Sequence, residues 1–242
     1  MNVAEHTLDA TCLVDCAKRL TIRAAAPTPP PSSLLVDASE WRCEERKPVL
    51  LCPQEVPALK LTAGHICLEG LRLKRTVPDN WTTDHVPQPP AYEGSSFEPT
   101  LLVHSGDFRA TDAPAALPLP TAALVLQDCT LAHNGTLPRN SYASGVLGCM
   151  AAGYGAFIRV ERCGFNHCVR GVSASGGGVA DVMDTKFADM GFAAVDTWGG
   201  RALVNRCHFT AVATGMYATG TAALTCRPPK EAPKGASCTP LA

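Results

Sequence analysis

Between Ala156 and Cys226 the chain repeats itself. AFIRVERCGF begins at Ala156, GVADVMDTKF at Gly178 and GRALVNRCHF at Gly200, so the copies start 22 residues apart. A fixed period of this length points to a solenoid, in which each repeat is one coil stacked on the last. A parallel sheet wound into a helix brings equivalent residues of successive coils to about 4.8 Å, so the period predicts columns. Val160, Val182 and Val204 align, with Cys226 continuing the column. Ile158, Ala180, Ala202 and Leu224 form a second, and Phe165, Phe187 and Phe209 a third. Cys163, Thr185 and Cys207 align as small residues, as do Gly171, Ala193 and Gly215, and Ser175, Thr197 and Thr219. Gly177-Gly178 and Gly199-Gly200 align at a turn, where small residues fit. Arg162, Asp184 and Arg206 make a column of alternating charge, the arrangement a solvent-facing ladder favours because like charges directly opposite repel.

Earlier segments match the unit more loosely. AALVLQDCTL aligns through Leu124/Ile158, Leu126/Val160, Cys129/Cys163 and Leu131/Phe165, and ICLEGLRL through Ile66, Leu68, Leu71 and Leu73. LTIRAA (Leu20 to Ala25), SLLVDAS (Ser33 to Ser39), PVLLCP (Pro48 to Pro53) and LLVHSGDF (Leu101 to Phe108) also read as strands or apolar segments. Proline-rich breaks separate them at Pro27 to Pro31 and from Thr76 to Pro99, with a shorter insertion at ATDAPAALPLP. A third loop runs from Thr136 to about Gly155. The expectation is an all-β chain: one parallel β-helix of about six or seven coils over residues 20–226, with inserted loops at 76–99 and 136–155. Residues 1–19 form a cap, read either as a short amphipathic helix (Val3, Leu8, Cys12, Leu13, Cys16, Leu20) or as a strand leading into LTIRAA. Residues 227–242 break the pattern and read as a loose tail.

Composition excludes several function classes. A net charge of −1 gives no electrostatic case for nucleic acid or an anionic membrane. No run approaches the ~18 apolar residues of a membrane span. The N-terminal MNVAEHTLDATCLVDC lacks the apolar core of a signal peptide, so the default expectation is a cytoplasmic protein. None of the twelve cysteines sits in a CxxC pair, so no zinc site is expected. Several cysteines stand in apolar strand contexts, and the set reads as mostly packed, reduced thiols, with some disulfides as the alternative.

HICLEGLRLKR, LTIRAA, RVERCGF, DVMDTKF and VNRCHF are similar to right-handed parallel β-helix repeats of the pectin-lyase-like superfamily, over roughly Leu20 to Cys226. That superfamily holds polysaccharide lyases and hydrolases, adhesins and non-catalytic modules, and the fold does not choose among them. The aspartate clusters and Gly-His-Gly segment of its enzymes have no counterpart here.

Four residues stand out as ligand-binding candidates. His167 and Asp189 occupy one column on neighbouring coils, a couple that suits proton chemistry or a solvated turn pair. Trp198 sits in a turn beside Asp196, where an indole can serve as a platform for sugar stacking. No catalytic residue, metal site or cofactor is assigned. The resulting expectation is a non-catalytic module whose partner is a glycan or a protein, with a carbohydrate-active enzyme as the alternative. The sequence does not fix an oligomeric state. Because the ladder is so regular, the loops at Thr76–Pro99 and Thr136–Gly155 are expected to carry function.

Overall fold

The computed structural model describes residues 5–8, 12–24, 47–52, 57–76, 101–106, 121–134, 147–219 and 223–227. These form an all-β structure of seventeen strands: β1 (Glu5–Thr7), β2 (Cys12–Arg23), β3 (Val49–Leu51), β4 (Leu59–Glu69), β5 (Arg72–Thr76), β6 (Leu101–Gly106), β7 (Ala122–Gln127), β8 (Thr130–Asn134) and β9 (Leu147–Ala152) come first. β10 (Ala156–Glu161), β11 (Gly164–Asn166), β12 (Arg170–Ser175), β13 (Val179–Met183), β14 (Lys186–Trp198), β15 (Arg201–Asn205), β16 (His208–Thr219) and β17 (Ala223–Arg227) follow.

Every pairing between these strands is parallel, and the pairings sort into three walls. The first wall stacks β2, β4, β7, β10, β13, β15 and β17. The second stacks β1, β3, β5, β8, β11, β14 and β16. The third stacks β2, β4, β6, β9, β12, β14 and β16. The long strands β2, β4, β14 and β16 turn a corner and so belong to two walls. Each wall has seven rungs, and the chain visits the walls in rotation: the architecture is a three-walled parallel β-helix.

The cross-section follows from the alternation of strand residues. On the first wall Ile66, Leu124, Ile158 and Ala180 face inward, with Leu68, Leu126, Val160, Val182 and Val204 two residues on, all buried. On the second wall Leu73 and Leu131 lead into the phenylalanines. Phe165 and Phe187 stack at 5.0 Å, and Phe187 and Phe209 at 5.5 Å. The third wall contributes Leu61, Val103, Cys149, Val172 and Val195. The offsets read from the sequence for Leu124/Ile158, Leu131/Phe165, Ile66/Leu124 and Leu73/Leu131 all appear as strand partners.

The corner between the first and second walls explains the charged column. Asp128, Arg162, Asp184 and Arg206 all have φ between 50° and 53°, and Gly70 precedes them with φ 68°. This left-handed conformation turns the chain sharply and points the side chain outward, where glycine or a short polar residue is least strained. The charges then pair between coils: Arg162 Nε donates to Asp128 Oδ1 at 2.9 Å, and Arg206 Nε to Asp184 Oδ1 at 2.6 Å. The next residue points in and is small. Cys129, Cys163, Thr185 and Cys207 each donate to the carbonyl two residues back, closing the corner. Cys129, Cys163 and Cys207 are free thiols.

Three expectations change. The first nineteen residues contain no helix where described, because β1 and the start of β2 pair with β3 and β4; this backbone pairing selects the strand over the amphipathic helix, and Leu13 and Leu20 stay exposed. The loop expected at 136–155 contains β9, whose Cys149 and Ala151 extend the inward columns of the third wall. The third is a register error on the third wall, described below. The proline-rich segment at 27–31, SLLVDAS, most of the loop at 76–99, the insertion at 110–120, residues 136–146 and the tail after 227 lie outside the described residues.

Candidate functional site

A strict 22-residue period places Gly171 opposite Ala193 and Ser175 opposite Thr197. On the third wall this fails by one residue. Both Phe192 N, at 2.8 Å, and Ala193 N, at 3.2 Å, donate to Val169 O. Two residues of one strand therefore face one of its neighbour, a β-bulge. Beyond it Arg170 pairs with Ala193, Val172 with Val195, Ser173 with Asp196 and Ala174 with Thr197. The next coil undoes the shift: Ala193 pairs with Thr214 and Trp198 with Thr219. At the following turn Gly177 N donates to Gly199 O, and the period of 22 resumes. The columns Gly171/Ala193/Gly215 and Ser175/Thr197/Thr219 are thus replaced by Arg170/Ala193/Thr214 and Ala174/Thr197/Ala218.

The shift assembles a polar cluster on the outer surface of the third wall. Val172, Ala174 and Val195 face the core, so Ser173 and Asp196 face out; nevertheless Arg170, Ser173 and Asp196 are only 2%, 2% and 1% exposed. Ser173 Oγ donates a short hydrogen bond to Asp196 Oδ1. Arg170 Nη1 donates to Asp196 Oδ2 at 3.2 Å. The guanidinium lies 4.3 Å from the centroid of the Trp198 ring and 5.0 Å from that of Phe192. Phe192 in turn meets Tyr217 edge to face at 5.1 Å. Val169, Phe192 and Ala193 form a small apolar cluster separate from the main core.

Burial pushes the Asp196 carboxyl above its ordinary value, while Arg170 and the Ser173 hydroxyl pull it down. The cluster is a desolvated ion pair clasped by aromatic rings, a geometry suited to arginine because its planar group stacks and forks at once. It can hold a rigid aromatic surface in place. Trp198 is half-buried and Tyr217 is exposed.

Of the four candidates named from sequence, the structure brings two together, Asp196 and Trp198, both around Arg170. The other two lie at the corner between the second and third walls. His167 and Asp189 share the left-handed conformation there, with φ 54° and 52°, as does Ala211 with φ 52°. The His167 Nδ1 lies 2.7 Å from Asn166 Oδ1, and no hydrogen bond or ion pair joins His167 to Asp189 among the described residues. They are stacked turn residues rather than a couple. Arg170, Ser173 and Phe192 escape sequence reasoning because the bulge removes them from the columns. The available signal was Phe192 itself, a bulky aromatic where the neighbouring copies have the polar Arg170 and Thr214.

Arg75 is fully buried near Cys52 and Cys168, and burial pushes these thiols up to about 11 and about 12. Among the described residues no group of three His, Cys, Asp or Glu side chains is placed to hold a metal ion, and no helix is long and apolar enough to cross a membrane. Compared with protein-family models, curated proteins and solved structures, the chain matches none.

Proposed function

We propose that this chain is a non-catalytic β-helix module, of the right-handed kind found in the pectin-lyase-like superfamily, that binds a glycan on the outer surface of its third wall. Parallel crossovers are right-handed in about 98% of cases, which supports the handedness. One observation carries the binding reading: the half-exposed Trp198 indole is fixed by the Arg170 guanidinium 4.3 Å from its centroid. A pre-positioned indole loses little conformational freedom when a sugar ring stacks on it. The neighbouring Tyr217, held edge-on by Phe192, extends the aromatic surface across a second coil.

A carbohydrate-active enzyme is the second reading, favoured by the raised Asp196 carboxyl, since a general acid needs such a shift. Weighing against it, both oxygens of that carboxylate are already engaged, one by Ser173 and one by Arg170. A glycan panel tests both. The protein is expected to retain at least one glycan without consuming it, and Trp198→Ala should weaken that binding roughly tenfold or more with the far-UV circular dichroism unchanged. No glycan bound, with a protein partner captured instead through Trp198, would replace the glycan reading. Depolymerisation of a panel member that Asp196→Asn abolishes would overturn the non-catalytic one.

A further inference from the structure

The two ends of the solenoid present surface that the proposed site does not use. Among the described residues β16 and β17 pair on one side only, with β14 and β15, and β1 and β2 only with β3 and β4. Edge strands are normally blunted by charge or proline. β16, HFTAVATGMYAT, runs twelve residues with no proline and no Asp, Glu, Lys or Arg. The inward columns also stop unfinished there. Phe209, Val212 and Met216 are only partly buried, whereas Phe187, Met190 and Val195 one coil earlier are buried. At the opposite end, among the described residues, Leu8, Val14 and Ile22 are likewise only partly buried. The large hydrophobic residues exposed among the described ones are Leu13 at 59%, Leu20 at 42% and Tyr217 at 36%. The first two belong to β2 and the third to β16, so all three lie on end rungs.

The columns say how the two ends would meet. Successive partners run Leu13, Lys60, His104, Met150, Ser173, Asp196, Tyr217. A neighbouring column runs Cys12, Leu59, Val103, Cys149, Val172, Val195, Met216. If the first rung of a second copy continues these columns beyond β16, its Leu13 falls over Tyr217 and its Cys12 over Met216. Val14 likewise falls over Ala218, at the end of the column through Leu61 and Thr197. On the third wall apolar positions meet apolar positions, and on the first wall Leu20 falls over Leu224 and Ile22 over Cys226, while His6 falls over Phe209 and Arg23 over Arg227; the strand direction is the same at both ends.

We propose that this chain associates head to tail, the β1–β2 rung of one copy adding in parallel to the β16–β17 rung of another. Such an interface uses a different surface on each partner and does not close on itself, so it builds a linear stack.

The Met216→Cys variant tests both the contact and its register. Parallel neighbours at about 4.8 Å lie inside the roughly 4.4–6.8 Å window for a disulfide. Oxidised glutathione takes up two electrons and the two thiol protons, leaving as two reduced glutathione molecules while the protein disulfide forms. The expected product is a ladder of covalent oligomers on a non-reducing gel, with peptide mass spectrometry locating the bond between Cys12 and the thiol introduced at 216. Adding Cys12→Ser should abolish the ladder. Sedimentation of the unmodified chain should show species larger than the monomer that grow with concentration. A bond joining position 216 of one copy to position 216 of another would overturn the proposal, because it places two identical ends together. So would a strictly monomeric chain at every concentration tested. Position 216 is on an end rung and only partly buried, so unchanged circular dichroism confirms that the variant folds.

Discussion

Arg170 shows how a single position determines what surrounds it. Its guanidinium is buried on the outside of a β-wall, where it depends on Asp196 for countercharge and on Trp198 and Phe192 for stacking. Removing one member of a buried ion pair leaves the other charge desolvated, at a cost of about 3–5 kcal/mol. Asp196→Ala is therefore expected to lower the stability measured by urea denaturation by about that amount. The pair also has a pH signature. Burial raises the folded-state carboxyl above the value it has in the unfolded chain. Between those two values the native protein keeps a proton that the unfolded chain has released. Stability contributed by the protonated group is thus present below the unfolded value and falls as pH rises through the folded one. Denaturation curves collected from about pH 4 upward should show this decline in the parent protein, and Asp196→Asn should flatten it.

At the scale of the strand and corner, the fold rests on a repeated device: a left-handed residue that turns the chain, then a small or apolar residue that closes the corner. The device tolerates Asp, Arg or His at the turn because their polar ends reach solvent or pair between coils. Ala211 has the same conformation, φ 52°, without that compensation. A left-handed L-residue costs roughly 1–2 kcal/mol, while glycine adopts the conformation freely but loses more entropy on folding. Ala211→Gly is expected to raise stability by about 0.5–1 kcal/mol in the same denaturation assay. These corners were legible in the sequence as period and charge: Val160/Val182/Val204, the phenylalanine stack and the Arg162–Asp184–Arg206 ladder depend only on spacing. The third wall was not legible, for a specific reason. The bulge at Phe192–Ala193 advances the register by one residue and the next turn takes it back. The overall period stays at 22, so nothing in the spacing reveals that Asp196 faces Ser173 and not Ala174. Asp196 and Trp198 were recognisable by residue type, but Arg170 and Phe192 acquire their roles only through the shift.

At the scale of the whole molecule, a solenoid distributes its stability over contacts between neighbouring coils. No coil depends on a distant one, so a local irregularity can serve binding without unsettling the rest. This places the candidate site inside the most regular part of the chain, which a reading from regularity alone would have assigned to framework. Among the described residues the end rungs pair on one side only, the side left over being the one the proposed head-to-tail contact would use. The interrupted register of the third wall creates the buried Arg170–Asp196 cluster and sets Trp198 and Phe192 against it. Parallel strands bring the Hα and amide protons of paired residues into contact, and nuclear Overhauser spectroscopy on isotopically labelled protein reads the pairing directly. The predicted result is a set of cross-strand contacts between Ser173 and Asp196 and between Ala174 and Thr197, with Phe192 outside the ladder. Contacts joining Ala174 to Asp196 and Ser175 to Thr197 would show an unbroken 22-residue register and would contradict it.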